Sequence, residues 1–303
     1  MITSLKATYN HSLAFLKSKL KDYSILVKVR LNLTVVFSAI IGYFLAVGGN
    51  FLFIDLFFLG LAGFLITGSA NAINQIIEKD YDKLMKRTKN RPLATNRMSV
   101  GEALLVAGVF GITGLLILGF LFNTTAAFIG AISLLSYAFV YTPLKRVSPI
   151  AVFVGAIPGA LPPVIGWVAA TSLWSYEATV LFSIQFLWQF PHFWAIGWLG
   201  AEEYEKAGYK LLPNSDGRNK DTAIHIMLYI VTLIAVSLAP YAIGLISMIS
   251  IVAALLLGVM FLYYGYNLYK ECDNKAALKL MFASIVYLPV LQTIMVIDRL
   301  FFL

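Results

Sequence analysis

Asn74, Glu78 and Asp82 recur at every fourth position of the segment NAINQIIEKDYDKLMKRTKNRPL (71–93), which begins as an apolar run and ends in a basic cluster. On an α-helix this spacing sets three side chains along one stripe that drifts about 40° per step. Carboxylates gathered on a stripe repel one another unless a cation lies between them, and oxygen ligands select a hard cation, Mg²⁺ first and Mn²⁺ as a substitute. A magnesium ion held by so few protein oxygens commonly takes phosphate oxygens next. Lys86, Arg87, Lys89 and Arg91 supply anion-binding donors in the loop that follows. The plainer alternative is that these charges cap a membrane helix at the water interface. Against it, Asn74 and Glu78 lie within or at the edge of the apolar stretch, where polar side chains are costly and mark function. Asp80 points to another face of the helix and is a lesser candidate.

The elements that must position this stripe are membrane helices. Of 303 residues, 60% are hydrophobic and 13% charged, with mean hydropathy +0.82, which excludes an ordinary soluble domain. Apolar runs of spanning length occur at 31–48, 52–76, 102–122, 125–141, 149–171, 178–199, 222–244, 246–268 and 278–300. The expectation is an all-α polytopic protein of about nine spans, forming a single membrane-embedded domain over 1–303. A net charge of +8 would suit nucleic acid, but its distribution reads as membrane orientation: with nine spans, every Lys and Arg except Arg299 falls on the N-terminal side. The N-terminus and the loops at 77–101, 145–146, 200–221 and 269–277 are then cytoplasmic, opposite short turns at 48–50 and 123–125. Cysteines placed at Thr95 and Ser215 should label from the cytoplasm, and one at Asn123 from outside. No nucleic-acid partner is expected.

Cys272 is the only cysteine, so neither a disulfide framework nor a Cys-based zinc site is available. Within the first 30 residues there is no signal-peptide core, and Arg30 is the first arginine, which argues against a transit peptide. Leu13, Leu16, Leu20 and Tyr23 recur at helical spacing beside Lys17, Lys19 and Lys21, the pattern of a short amphipathic helix at the cytoplasmic interface. Pro158, Pro162 and Pro163 should break the fifth span and expose carbonyls beside a cavity. Gly155 and Gly159, four apart, should permit close helix packing. A second acidic cluster, Glu202, Glu203 and Glu205, follows the sixth span and lies on the same side as the first. Two such clusters could clamp one diphosphate through two or more Mg²⁺ ions.

Three segments carry a resemblance. NQIIEKDYDKLMKRTKNRPL (74–93), YTPLKRVSPIAVFVGAIPGALPPVIGW (141–167) and QFPHFWAIGWLGAEEYEKAGYKLLP (189–213) resemble the signatures of the protohaem IX farnesyltransferases, or haem O synthases, a branch of the UbiA-type intramembrane prenyltransferases. The similarity is dense from about Tyr23 to Pro213; the last three spans add only hydrophobicity. The broad match rests on the first acidic motif, and the haem-specific one on the LKR to PPVIGW block and PHFW.

This resemblance implies a UbiA-type bundle around a central cavity open to the cytoplasmic side of a bacterial inner (plasma) membrane. It implies that farnesyl diphosphate is joined to a vinyl group of haem B, with addition of water, giving haem O and diphosphate; haem is then a substrate and Mg²⁺ the cofactor. Asn74, Glu78 and Asp82 would hold metal and diphosphate. Glu203, with Glu202 beside it, matches the second acidic motif and would share that work, next to Tyr204. Lys28, Arg30, Arg87, Arg91, Lys145 and Arg146 would grip diphosphate or haem propionates, unless they are only positive-inside loop charges. His192, the only histidine in the interior of an expected span, is either a hydrogen-bonded core residue or a haem contact; His11 and His225, the latter at the edge of 222–244, carry no such context. The resemblance allows a haem A synthase or a terminal-oxidase assembly as protein partner. The sequence departs from the pattern at Val29, where proline is usual, at Gly200, where a basic residue is common, and at Glu78 and Glu203, where aspartate is more frequent. Other readings remain open. A related enzyme acting on an aromatic acceptor such as 4-hydroxybenzoate would share the diphosphate site, while an ion-coupled transporter would place its carboxylates at the midplane rather than at one face.

Overall fold

The computed structural model describes residues 16–213 and 217–302, so His11, Leu13 and Ser215 lie outside it. Every regular element among the described residues is helical. A first helix, α1 (16–27), carries Leu16 and Leu20 exposed and Leu26 fully buried. There follow α2 (Val29–Val47), α3 (Phe53–Asp82), α4 (Val100–Ile117, prolonged by a π-helical Leu118–Phe122) and α5 (Thr124–Leu135, prolonged by a π-helical Ser136–Tyr141 and a last turn to Leu144). The second half contains α6 (Ala151–Thr171), α7 (Tyr176–Leu199), the short α8 (Ala201–Lys206), α9 (Lys220–Ser237), α10 (Met248–Glu271) and α11 (Asn274–Phe301).

Helix starts are written in the sequence. Ser99 accepts the Glu102 amide at 3.0 Å, with glutamate at the third helical position of α4. Asn123, Asn219 and Asp273 cap α5, α9 and α11 in the same way. Eight of the described helices are long and apolar enough to cross a bilayer. The remaining expected span, the sixth at 178–199, falls on α7, which is 24 residues long but is diluted by Gln185, Trp188, Gln189 and His192. It packs between α6, α9 and α11.

The tightest helix pair is α2 against α6. A Cβ on Gly166 would lie 1.8 Å from the Ala39 carbonyl oxygen, and one on Gly42 would lie 1.9 Å from that of Pro163. Close backbone approach therefore runs through Gly42 and Gly166. Gly155 and Gly159 make room for side chains instead: the Tyr141 ring and the Gln189 amide occupy the places their Cβ atoms would take.

The three prolines do not break α6, which is continuous from Ala151 to Thr171. Pro162 and Pro163 leave the carbonyls four residues earlier, on Pro158 and Gly159, without their helical donors. Ser133 Oγ donates to the first at 3.3 Å and Gln185 Nε2 to the second at 2.8 Å. Gln292 Nε2 donates to Gln185 Oε1 at 3.0 Å, and Ser38 Oγ to Gln292 Oε1 at 3.3 Å. The expected exposed carbonyls are thus occupied by neighbouring helices, and α2, α5, α6, α7 and α11 are tied together at one level.

Candidate active site

The end of α3, the loop that follows it and the 200–213 segment close over a cavity of about 360 Å³. On the α3 stripe, Asn74, Glu78 and Asp82 are all at least nine-tenths buried and all line this cavity. Asp80, on the exposed side of α3, pairs only with Lys83 at 2.8 Å. Consecutive turns fold 83–98 back across the helix end, with Thr88 Oγ1 on the Asp82 carbonyl at 3.0 Å. Arg91 is thereby delivered onto Asp82, 2.8 Å from both carboxylate oxygens, and comes within 3.8 Å of Glu78. Lys145, from the segment after α5, donates to Glu78 Oε1 at 2.6 Å and lies over the Tyr141 ring.

Lys28 reaches the same cavity by a strained route. Gln75 Nε2 donates to the carbonyls of Ile25 and Leu26, and Asn71 Nδ2 to that of Val27, capping the end of α1. The chain then reverses through Lys28 in the left-handed region, φ 53° and ψ 58°, unusual for a residue with a side chain. Its ammonium donates to Asn74 Oδ1 at 3.1 Å, and the Asn74 amide donates to Thr142 Oγ1. Burial, then the nearby charges of Arg91 and Lys145, lowers the Lys28 ammonium to about 7. Salt bridges from α1 clamp this entrance: Arg97 to Asp22 at 2.9 Å and Lys19 to Glu102 at 3.0 Å.

The apolar wall is made by Tyr137 and Tyr141 from the π-helical part of α5, with Val152, Phe193, Ile196 and Leu211. His192 is also in this wall, stacked on Trp188 at 4.7 Å. Its Nδ1 lies 2.8 Å from Ser284 Oγ, and that hydroxyl donates to the Met281 carbonyl at 2.5 Å. With its proton committed to Met281, Ser284 can only accept from His192, so Nδ1 carries the hydrogen and Nε2 keeps its lone pair.

Of the expected site residues, Lys28, Asn74, Glu78, Asp82, Arg87, Arg91, Lys145, His192 and Tyr204 line one cavity; Arg30, Arg146, Glu202 and Glu203 do not. Arg30 is exposed, Arg146 stacks on the Tyr81 ring, and Glu202 is turned out to Arg218 at 2.9 Å. Glu203 stands one step back, accepting the Arg87 backbone amide at 3.4 Å, while the Arg87 guanidinium donates to the Tyr204 hydroxyl at 3.3 Å. At Gly200, where a basic residue was expected, the Tyr204 ring fills the place of a side chain. The two acidic clusters therefore do not face each other: the first is held by Arg91 and Lys145, and the second reaches the cavity only through Arg87.

Sequence reasoning passed over Tyr137, Thr142 and Tyr209 as site residues. Tyr209 is 8% exposed and lines the cavity, and its hydroxyl has no hydrogen-bond partner among the described residues. Burial and the Glu78 and Asp82 carboxylates push this phenol up, so it stays a neutral donor. Its only sequence signal is its place inside the GYKLLP stretch of a quoted motif.

The donor set fits a divalent cation of the hard class. Two buried carboxylates and an amide oxygen share the stripe, too few for a cage of their own, and among the described residues no group of three or more His, Cys, Asp or Glu gathers that could hold a metal alone. Such a site is completed by substrate phosphate oxygens. Four cationic side chains, Lys28, Arg87, Arg91 and Lys145, against two carboxylates leave up to two excess positive charges for an anion.

Comparison with known proteins shows the family and the fold. The UbiA prenyltransferase family matches residues 35–286. The chain is 49% identical over 284 residues to a protoheme IX farnesyltransferase of Cytophaga hutchinsonii, covering 94% of this chain and 99% of that one. A solved structure of digeranylgeranylglyceryl phosphate synthase superposes with TM-score 0.76 at 20% identity, covering 93% and 99% of the two chains. A UbiA homologue from Archaeoglobus fulgidus bound to GPP and Mg²⁺ superposes with TM-score 0.66 at 16% identity, covering 91% and 99%.

Proposed function

Because the chain belongs to the UbiA prenyltransferase family, we propose that it joins the farnesyl group of farnesyl diphosphate to a vinyl group of haem B, with addition of water, to give haem O and diphosphate. One observation carries the reading: a single cavity has a carboxylate-amide stripe and four cationic side chains at one end and an aromatic wall containing His192 at the other. That polarity matches a reaction between a diphosphate ester and a large flat acceptor.

Ionisation of the allylic ester breaks the C1–O bond and sends the electron pair to the diphosphate. Arg87, Arg91, Lys145 and Lys28 surround the position where this charge develops. A divalent cation on Asn74, Glu78 and Asp82, Mg²⁺ by preference, would neutralise the remaining charge of the leaving group. Arg91 and Lys145 hold the two carboxylates in place without substrate, so the stripe is preorganised rather than collapsed by repulsion. The faces of Tyr137 and Tyr141 line the path of the allylic cation and, with Val152, Ile196 and Leu211, keep bulk water from it. The acceptor lies toward His192, whose Nε2 lone pair is free to meet haem iron while Nδ1–H is fixed by Ser284. Glu203 and Tyr204 act through Arg87, at the mouth.

The protein is a multi-pass membrane protein. The distribution of Lys and Arg supports nine spans in a bacterial inner membrane, with the cavity facing the cytoplasm. Haem A synthase or a terminal-oxidase assembly would receive the product. The test is direct: purified protein in detergent, given haem B, farnesyl diphosphate and Mg²⁺, should yield a pigment heavier by one farnesyl group and one hydroxyl, and none in excess chelator. Unchanged pigment in the complete mixture sinks the reading; full turnover in chelator sinks the metal.

A further inference from the structure

Tyr209 carries the one polar side-chain atom of the cavity lining that is fully buried and without a partner among the described residues. Its neighbours at the anionic end are engaged: Glu78 with Lys145, Asp82 with Arg91, Asn74 with Lys28 and Thr142, Tyr204 with Arg87. The ring is fixed by packing against Tyr81 and Tyr204, with centroids 6.5 and 6.1 Å away, and by Lys145 Nζ at 5.8 Å. The backbone is equally tied, the Tyr209 amide donating to the Tyr204 carbonyl at 2.8 Å and the Lys210 amide to the Lys145 carbonyl at 2.7 Å. A buried hydroxyl held this firmly without a partner is a cost to the empty protein that a ligand acceptor removes. The nearest acceptor on the chain, the Glu78 carboxylate, lies outside hydrogen-bond distance of the hydroxyl and is already held by Lys145 and Arg91, which leaves the bond open to an oxygen brought in by a ligand.

Resting on the diphosphate reading above, we infer that the Tyr209 hydroxyl donates a hydrogen bond to an oxygen of the bound diphosphate, one that gains negative charge as the C1–O bond breaks. The proton stays on tyrosine throughout, so no proton transfer enters the reaction. Lys attracts the diphosphate as a point charge and Arg clamps it in the plane of its guanidinium, whereas a fixed phenol aims one donor at one oxygen; Tyr209 therefore adds orientation of the leaving group to its stabilisation.

Tyr209→Phe removes the oxygen and leaves the ring contacts. Inorganic pyrophosphate in Mg²⁺ buffer, titrated by calorimetry onto the full-length protein in detergent, should bind the variant about tenfold more weakly, as expected for one lost hydrogen bond to a charged group. Turnover should fall by at least that factor. Haem B affinity should be unchanged, and the thermal midpoint without ligand should not fall. Wild-type pyrophosphate affinity and turnover in Tyr209→Phe overturn the inference and leave the farnesyl-transfer reading standing. A loss of haem affinity with pyrophosphate affinity intact also overturns it, assigning the hydroxyl to a propionate. A lowered midpoint with unchanged pyrophosphate affinity makes the residue structural. If the wild-type protein binds no pyrophosphate and makes no product, the reading itself has failed, and the inference with it.

Discussion

At the scale of the residue, the carboxylates of α3 have two duties that one substitution separates from fold. Glu78→Gln and Asp82→Asn keep size and remove ligand charge. Each should lower product formation about a hundredfold or more if several kcal/mol of transition-state stabilisation pass through the metal. Haem binding, read from the pigment spectrum, should survive both. Asp82→Asn also strands a mostly buried Arg91, a defect that costs about 3–5 kcal/mol when nothing replaces the partner, so its thermal midpoint should drop unless pyrophosphate is present. Wild-type turnover in both variants would place the chemistry elsewhere. His192→Ala should do the reverse, shifting the spectrum of bound haem while leaving pyrophosphate affinity near wild type. If spectrum and turnover are intact and only stability falls, the Ser284 hydrogen bond is the whole of its role. The stripe and Arg91 were legible because helical spacing and a short loop fix them locally. Tyr209 was not, since only the path of a loop around Lys145 brings a tyrosine 131 positions further along the chain near Glu78. The outward turn of Glu202 was equally hidden, because its partner Arg218 lies beyond the loop.

At the scale of the element, hydropathy located the helices but said little about how they touch. The sequence reading gave helix packing to Gly155 and Gly159, yet small residues serve side chains and backbones alike, and only the crossing of α2 and α6 tells them apart. A single methyl tests the difference. Gly166→Ala sets a Cβ against the Ala39 carbonyl, with backbone on both sides and nothing flexible to give way. It should destabilise by at least about 3 kcal/mol, beyond the usual range for overpacking, and appear as a lower thermal midpoint or loss of folded protein in detergent. Gly49→Ala, with open space around it, should stay within about 0.5 kcal/mol of wild type. Equal midpoints for the two would mean that α2 and α6 do not cross so closely. The prolines teach a related lesson. Their effect on α6 was read from the chain alone as a break, but the orphaned carbonyls are satisfied by Ser133 and Gln185, donors on helices that sequence order does not identify as neighbours. The π-helical part of α5, which turns Tyr137 and Tyr141 into the cavity, likewise has no signature in hydropathy.

At the scale of the whole molecule, the question is which face of the membrane the cavity opens to, and the charge distribution supports the cytoplasmic one. Of 23 Lys and Arg, only Arg299 falls on the far side if all nine long helices cross, α7 included. The eight strongly apolar helices alone would reverse every element after α6 and send the loop of Lys206 and Lys210 outward, away from the loop that holds Arg87 and Arg91. Yet Lys210 is bonded to Lys145 and Glu203 to Arg87, so the two loops share one side of the bundle, which supports α7 as a ninth crossing helix. Cysteine labelling in intact and permeabilised cells decides the orientation. Asn123 caps α5 and is unsuitable as a probe, whereas exposed Thr124 beside it is free, as is exposed Glu205 on the other side, and exposed Thr95 bonds only within its own loop. The native Cys272 sits in the left-handed region at φ 47°, so Cys272→Asn is the gentlest background. In that background, cysteines at Thr95 and Glu205 should react with an impermeant maleimide only after permeabilisation, and one at Thr124 in intact cells. Labelling of Thr124 and Glu205 from one side would mean that α7 does not cross, and the shared wall of Arg87, Tyr204 and Tyr209 could not then form.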